Sequence, residues 1–185
     1  MINLQDEEIE NAYLVYFENE DSQHELNEMK ELIRSALLNF SGANCVKIRE
    51  INPATYIGEG KVEEIAQEVS KLNIDVVIFD LSLTGSQLRN LSNGLGVKVI
   101  DRTMLILDIF ARRAKSSEGK LQVSLAQLEY SKSRLSAISG SVGRFGSGGV
   151  GSRGPGETKL ELDKRKVEAE IVKKKKELKY YLRMI

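Results

Sequence analysis

Two hydrophobic patterns alternate along the first half of the chain. Short runs of apolar, β-branched and aromatic residues predict strands at 12–17, 45–50, 75–80 and 97–100. Between these runs, apolar residues recur every three or four positions, which predicts helices at 22–40, 60–72 and 84–94. This alternation predicts an α/β fold with a small, mostly parallel sheet and flanking helices.

Two of the predicted helices carry start signals. Ser22 followed by Glu25 has the spacing of a capping box, and the apolar stripe behind it continues to Leu37 and Phe40. We therefore expect one helix over residues 22–40. Asp101 precedes the segment "RTMLILDIFARRAK" and is expected to cap the helix that this segment forms.

From residue 116 onward the pattern becomes that of two long helices. The first apolar stripe, in which a lysine fills one position, comprises Leu121, Leu125, Leu128, Lys132 and Leu135. The second stripe, which two lysines interrupt, comprises Leu160, Lys164, Val167, Ile171, Lys174, Leu178, Tyr181 and Ile185. Two such stripes joined by one loop predict a long antiparallel two-helix hairpin. We therefore expect an α/β subdomain at 1–115 and a helical hairpin subdomain at 116–185.

Charge divides the chain in a similar way, although its formal net charge is zero. Residues 1–100 contain 8 lysines and arginines and 17 acidic residues, which gives −9. Residues 101–185 contain 19 and 10, which gives +9. A basic region of this size suggests a polyanionic partner such as a nucleic acid. Solvated, lysine-rich helices would give the same count, so charge alone leaves both interpretations open.

The composition excludes several classes of protein. A single cysteine, Cys45, excludes a disulfide framework, and a single histidine, His24, excludes polyhistidine metal sites. No carboxylates are paired into a recognisable acid/base site, so we expect no catalytic residues and no metal in this chain. The amino-terminal segment has no apolar signal core and the apolar runs are too short to span a bilayer, so we expect a cytoplasmic protein.

The loop predicted between the two long helices, residues 139–156, contains eight glycines, four serines, two arginines and no acidic residue. Its segment "GSGGVG" at 146–151 satisfies the dinucleotide-binding pattern, but the preceding segment is predicted to be helical and not a strand. The segment "GSRGPGET" at 151–158 nearly satisfies the phosphate-binding loop pattern, but Glu157 occupies the position of the required lysine. Neither match predicts a nucleotide site.

The composition of this loop is also compatible with contact to a larger polyanion. Arg144 and Arg153 provide positive charge, and Phe145 provides a surface on which a base could stack. Glycine lets a backbone approach an RNA surface closely. The alternative is a glycine-rich linker that binds no ligand.

A second glycine-containing segment, "YIGEGKVEEI", begins a predicted helix. Gly58 and Gly60 lie at its start and Lys61 lies in its first turn, so its N–H groups and ammonium could bind an anion such as a nucleotide phosphate. Three glutamates crowd the same place. They favour the simpler interpretation of a tight turn between a strand and a helix.

The segment "IDRTMLILDIFARRAKSSEGKLQVSLAQLEY", followed by "GSGGVGSRGPGETKLELDKRKV", resembles the N-terminal region of the HflX family of translation-associated GTPases. The segments "PATYIGEGKVEEI" and "DLSLTGSQLRNL" resemble the α/β half of the same region. The resemblance covers roughly residues 45–175. It implies that a GTPase domain, which would bind GTP and Mg²⁺, follows this region, and that the region itself holds no cofactor and does not hydrolyse GTP.

The resemblance also implies a partner. In the family, the helical hairpin and its glycine-rich tip are implicated in binding the large ribosomal subunit near its peptidyl transferase centre, and family members split ribosomes. Carried over by position, the residues expected to bind ribosomal RNA are Arg144, Gly148, Gly149, Gly151, Arg153, Gly154, Lys159 and Arg165. We expect the chain's other partner to be its own C-terminal GTPase domain.

Two other functions stay open at this point. The first is a nucleotide-binding α/β domain that uses Gly58, Gly60 and Lys61. The second is an autoinhibitory module that restrains its own GTPase domain.

Overall fold

The structure is a computed structural model that describes residues 9–142 and 155–184, with side chains described over 9–135 and 161–183. These residues form four strands and six helices. In chain order they are β1 Asn11–Phe17, α1 Ser22–Ser35, β2 Asn39–Val46, α2 Glu59–Lys71, β3 Val76–Phe79, α3 Gly85–Leu95, β4 Lys98–Asp101, α4 Arg102–Arg113, α5 Ser117–Val142 and α6 Pro155–Met184. The predicted α/β class is confirmed.

All strand pairs of the sheet are parallel, in the order β2-β1-β3-β4. β1 therefore lies inside the sheet. After β1 the chain forms β2 on one side of it, and after β2 the chain crosses over to form β3 on the other side. The strand order reverses between β1 and β3, where Val15 pairs with Phe79. In open α/β sheets such a reversal leaves a crevice at the carboxyl ends of the two strands.

The chain separates into two compact units. The first unit contains Met1–Leu83 and Leu88–Ile106, and the second contains Thr84–Gln87 and Leu107–Ile185. The sheet with α1, α2, most of α3 and the start of α4 belongs to the first unit. The second unit is built mainly from α5 and α6.

The core of the first unit lies around β3, whose four residues are all buried. A strand covered on both faces needs apolar side chains in both directions, which explains the uninterrupted run Val76–Phe79. α2 packs on the sheet through the stripe predicted from its sequence, because Val62, Ile65 and Val69 are buried. These local patterns therefore identified both elements correctly.

The first predicted helix was wrong at its carboxyl end. α1 ends at Ser35, and Leu37 follows with a left-handed φ of 60° and a side chain that is 65% exposed. The N–H of Leu38 donates to the carbonyl of Ile33 at 3.2 Å, which closes the helix with the hydrogen bond of a Schellman turn. Phe40 lies in β2 and does not extend the helical stripe.

The second predicted strand was wrong in its extent. β2 covers Asn39–Val46, whereas the hydrophobic pattern predicted 45–50. Its residues are mostly polar or small and only Val46 is buried, since β2 is at the edge of the sheet and only β1 pairs with it. Backbone pairing with β1 decides this strand in place of local propensity; it starts with Asn11 opposite Asn39 and shifts register between Ala12 and Tyr13.

Of the two predicted helix starts, one was wrong and the other is confirmed. Asp21 is the N-cap of α1 and makes no side-chain cap hydrogen bond, so the capping box predicted at Ser22 is wrong. The carboxylate of Asp101, by contrast, accepts a hydrogen bond from the N–H of Met104 at 3.1 Å, as predicted for a cap of α4.

A capping box that the sequence analysis missed begins α3. The N–H of Gln87 donates to Oγ1 of Thr84 at 3.2 Å, and the N–H of Thr84 donates to Oε1 of Gln87 at 2.9 Å. The spacing Thr-x-x-Gln was the signal that could have identified it.

Candidate nucleic-acid interface

α5 and α6 pack against each other in the second unit. Leu121 of α5 and Ile171 of α6, which lie on the two predicted apolar stripes, are 8% and 7% exposed. Ion pairs join the helices where Lys132 meets Glu168 at 3.2 Å and Glu129 meets Lys175 at 2.7 Å. The residue numbers of the two pairs run in opposite directions, so the helices are antiparallel. Lys132, the predicted exception in its stripe, is tolerated because its ammonium reaches the carboxylate of Glu168.

The structure places only some of the predicted RNA-binding residues. Arg144, Gly148, Gly149, Gly151, Arg153 and Gly154 lie outside the described residues. The backbone of Lys159 belongs to α6, although its side chain is not described. Arg165 is exposed on α6, and the structure shows no ion pair between its guanidinium and any described carboxylate.

The segment proposed as an anion site begins α2. Gly58 is the N-cap, with an extended backbone and no side-chain cap hydrogen bond. Nζ of Lys61 lies 2.6 Å from Oε2 of Glu64, and Nδ2 of Asn44 donates to Oε1 of Glu64 at 3.1 Å. The hydrogen bonds from Lys61 and Asn44 lower the pKa of Glu64. Lys61 is therefore engaged by a carboxylate that competes with any anionic ligand.

Packing does not require glycine at this turn. A methyl group added at Gly58 or Gly60 would meet no other atom within 4 Å, and neither residue is among those with a positive φ. The preceding loop is held in place instead by reciprocal backbone hydrogen bonds between Asn52 and Tyr56, at 3.2 and 2.7 Å. The ring of Tyr56 also meets Phe17 edge-on, with 5.5 Å between ring centroids.

An ion-pair cluster that the sequence analysis missed lies at the carboxyl ends of β3 and β4. Arg102 donates from Nη1 to Oδ1 of Asp80 at 2.8 Å and from Nη2 to Oε1 of Glu28 at 2.5 Å. Asp80 directly follows β3 and Arg102 directly follows β4. Asp80 and Arg102 are brought together because the two parallel strands that they follow are neighbours in the sheet. This adjacency is known only from the strand order, so the sequence carried no local signal for the pair.

Burial controls the ionisation of this cluster. The side chain of Asp80 is 4% exposed, and desolvation raises its pKa although Arg102 acts in the opposite direction. Glu25 and Glu28 add a smaller repulsion that also raises it. Nucleotides bind at the carboxyl ends of the strands in many doubly wound folds. Here the guanidinium of Arg102 is already paired with the carboxylates of Asp80 and Glu28, and Glu25 adds a further negative charge near Asp80, which disfavours a phosphate ligand.

Neither a metal-binding cluster nor a membrane-spanning helix is present in the described part of the chain. No group of three or more histidine, cysteine, aspartate or glutamate side chains is arranged to hold a metal ion there. Across the same residues, no helix is both long and apolar enough to cross a lipid bilayer.

Comparison with known proteins identifies the class of this protein. A family model described as "GTP-binding GTPase N-terminal" matches residues 23–111, and a second, described as "GTP-binding GTPase Middle Region", matches residues 113–183. The α/β sheet and the paired helices thus correspond to the N-terminal and middle regions of a GTP-binding GTPase.

Individual relatives identify the family. The chain is 50% identical to GTPase HflX of Caldanaerobacter subterraneus subsp. tengcongensis over 151 residues, which cover 82% of this chain and 35% of the relative. It is 42% identical to GTPase HflX of Escherichia coli over 158 residues, which cover 85% and 37%. The chain belongs to the HflX family. It spans about a third of the length of these relatives, as the covered shares of 35% and 37% show.

A solved structure shares the fold. A GTP-binding protein from Sulfolobus solfataricus, crystallised with GDP, matches with a TM-score of 0.65 and 22% sequence identity. The match covers 92% of this chain and 45% of the archaeal one. At this level of identity the comparison supports the architecture alone.

Proposed function

We propose that this chain is the ribosome-binding region of an HflX-type GTPase and that it contacts RNA of the large ribosomal subunit. Membership in the HflX family supports a role within a GTP-binding protein. The observation that carries the RNA partner is the charge division, with +9 over residues 101–185 against −9 over residues 1–100. A surface of this sign attracts phosphate backbones and steers association with them.

In this proposal the glycine-rich segment 139–156 is the primary contact. Arg144 and Arg153 would bind phosphates or stack on bases, and the glycines, which lack side chains, would let the backbone lie close to the RNA. Lys159 and Arg165 would continue the contact onto the first turns of α6. The antiparallel packing of α5 against α6 supports this role, because it brings the end of one helix and the start of the other to the same end of the pair.

The chemistry of nucleotide hydrolysis is assigned to a different part of the whole protein. We propose that a GTPase domain outside these residues binds GTP with Mg²⁺ and uses it when the protein splits ribosomes. The chain described here would bind the subunit and also its own GTPase domain. A nucleotide site at Gly58, Gly60 and Lys61 has less support, because Glu64 already occupies the ammonium of Lys61.

Co-sedimentation of the 185-residue chain with purified large ribosomal subunits tests this function. We expect the parent chain to bind and Arg153→Glu to bind at least about tenfold more weakly, because a charge-assisted hydrogen bond contributes roughly 1.5–3 kcal/mol. Lys47→Glu is the matched control, since Lys47 is exposed on the acidic first unit and its reversal changes net charge equally. Equal binding by both variants would exclude the loop as the contact, and a large loss of thermal stability in Arg153→Glu would indicate a structural role.

A further inference from the structure

The two edges of the sheet are built differently. β4 forms one edge with four residues, which include the exposed, charged Lys98. β2 forms the other edge with eight residues, Asn39–Val46, and contains neither a charged residue nor a proline. Proteins protect edge strands from pairing by keeping them short or by placing charges and prolines on them. β4 has this protection, whereas β2 does not.

Backbone groups on the outer side of β2 point away from the sheet. The carbonyl of Val46 accepts a hydrogen bond at 3.0 Å from the N–H of Glu18, which follows β1. Along a regular strand, successive residues direct their N–H and C=O groups to opposite sides, so Ala43 and Cys45 direct theirs away from β1. Both residues are exposed, and in the described part of the chain only β1 pairs with β2. The outer side of β2 can therefore accept one more strand.

The irregular part of β2 lies near its start. The register with β1 shifts between Ala12 and Tyr13, opposite the first residues of β2. From Gly42 to Val46 the pairing then advances one residue at a time. A bulge protects an edge strand only where it twists the strand away from a neighbour. The segment Gly42–Val46 therefore stays regular enough to pair on its outer side.

An apolar side chain lies over this regular segment. Leu72, which follows α2, places Cδ1 3.3 Å from the position that a Cβ atom on Gly42 would occupy, and its side chain is 36% exposed. A strand added beside β2 would remove part of Leu72 and of Ala43 from water, which favours association in addition to the backbone hydrogen bonds.

We propose that β2 pairs with β2 of a second copy of this chain, in antiparallel orientation about a two-fold axis at Ala43. The pairing joins two four-stranded sheets into one sheet of eight strands. Ala43 then lies opposite its own copy, and the two residues exchange a pair of N–H···O=C hydrogen bonds. The inference goes beyond the proposed function, because it concerns the acidic first unit and involves no RNA.

Charge makes a second copy of the chain a suitable partner. β2 itself is uncharged, so antiparallel pairing places no like charges opposite each other. With Ala43 on the axis, Lys47 of one copy extends toward the end of the strand at which the partner has Asn39. The exposed Glu10 lies at that end, because its carbonyl accepts a hydrogen bond from the N–H of Asn39 at 2.9 Å. Lys47 is 71% exposed and pairs within its own chain with the exposed Glu18, so the basic end of each strand meets an acidic end of the other.

Sedimentation velocity of the 185-residue chain over a series of concentrations tests the pairing. We expect the parent to dimerise and Ala43→Lys to dimerise about fivefold more weakly, because the substitution places two ammonium groups opposite each other on the axis. Asn93→Lys is the matched control, since it adds the same charge at an exposed position of α3, and it should dimerise as the parent does. A parent that stays monomeric at every concentration, or a dimer that Ala43→Lys leaves unchanged, overturns the inference.

Disulfide formation tests the register of the two strands. In the double variant Ala43→Cys/Cys45→Ser, the new cysteines of the two copies have Cα atoms about 5.5 Å apart, which a disulfide can span. In the parent, the Cys45 residues of the two copies lie four positions apart along the paired strands, or about 13 Å, which is too far. Mild oxidation is therefore expected to give covalent dimers of the double variant and not of the parent. Equal cross-linking of both proteins, or of neither, would show that the strands do not meet at Ala43 and would overturn the inference.

Discussion

Asp80 and Arg102, which are 22 residues apart in sequence, form an ion pair of 2.8 Å at the carboxyl ends of two neighbouring strands. β3 and β4 are parallel and in register, with Phe79 beside Asp101, so the residues that follow them emerge side by side. The carboxylate of Asp80 is nearly buried, whereas the guanidinium of Arg102 is about a third exposed. Arg102 therefore compensates the negative charge of Asp80, which would otherwise be buried without a cation beside it.

Arg102→Ala is expected to destabilise the first unit by about 2–3 kcal/mol, because it leaves the buried carboxylate of Asp80 without its cation. Urea denaturation followed by circular dichroism measures the change. Arg34→Ala is the matched control, since Arg34 pairs with Glu31 at 2.5 Å but both side chains are well exposed. Its cost should stay below about 1 kcal/mol. Equal costs for the two variants would show that burial adds nothing to the Asp80 pair.

The ionisation of Asp80 should give the stability a distinctive pH dependence. Burial raises the pKa of Asp80 above its ordinary value of 3.8, so the folded state favours the protonated acid. The stability that this preference contributes is fully present below pH 3.8 and is lost as the pH rises through the folded-state pKa.

Asp80→Asn does not titrate and isolates this effect. Between about pH 3.5 and 7, the parent's free energy of unfolding should fall relative to that of Asp80→Asn. Urea titrations of both proteins at a series of pH values measure the difference. If the parent's free energy of unfolding instead rises relative to that of Asp80→Asn as the pH increases, the attraction of Arg102 outweighs the desolvation of the Asp80 carboxylate.

Leu37→Gly is expected to stabilise the protein by about 0.5–1 kcal/mol. Leu37 has a φ of 60° at the end of α1, a conformation that is unfavourable for residues other than glycine, and its exposed side chain contributes little packing. The flexibility of glycine in the unfolded chain offsets part of the gain.

Gly96 provides the converse experiment. It has a φ of 71° just after α3, where an added methyl group would meet no atom within 4 Å, so Gly96→Ala should lower stability by about 1 kcal/mol through backbone strain alone. Thermal melting of both variants is the measurement. If Leu37→Gly melts lower than the parent, the side chain of Leu37 packs in solution and the strain is compensated.

The 185-residue chain is expected to hydrolyse no GTP above background. Glu157 occupies the position of the phosphate-binding lysine in the loop, and Lys61 is paired with Glu64. Phosphate release and equilibrium dialysis with GTP and ATP test this, with Lys61→Ala as the diagnostic variant. Nucleotide turnover or tight binding that Lys61→Ala abolishes would establish the α/β unit as a nucleotide site.

The sequence by itself determined the elements whose signals are local. The apolar run of β3 and the stripe Val62, Ile65 and Val69 of α2 are periodic patterns, and burial imposes such a period on any strand or helix with one or two covered faces. The cap at Asp101 is equally local, because its bond to Met104 spans three residues. The resemblance of "GSRGPGETKLELD" to the HflX family also required only the sequence, and the family comparisons confirm it.

Only the tertiary structure decided the features that depend on distant partners. β2 begins at Asn39, and α1 ends before it, because the backbone of Asn39 pairs with that of Asn11 at the edge of the sheet. Propensity could not identify this strand, since an edge strand needs hydrogen-bonded backbone more than apolar side chains. The pairing of Asp80 with Arg102 depends in the same way on strand order. Periodicity reports which side of an element is covered, whereas the identity of the covering residue is set by topology, which no local pattern contains.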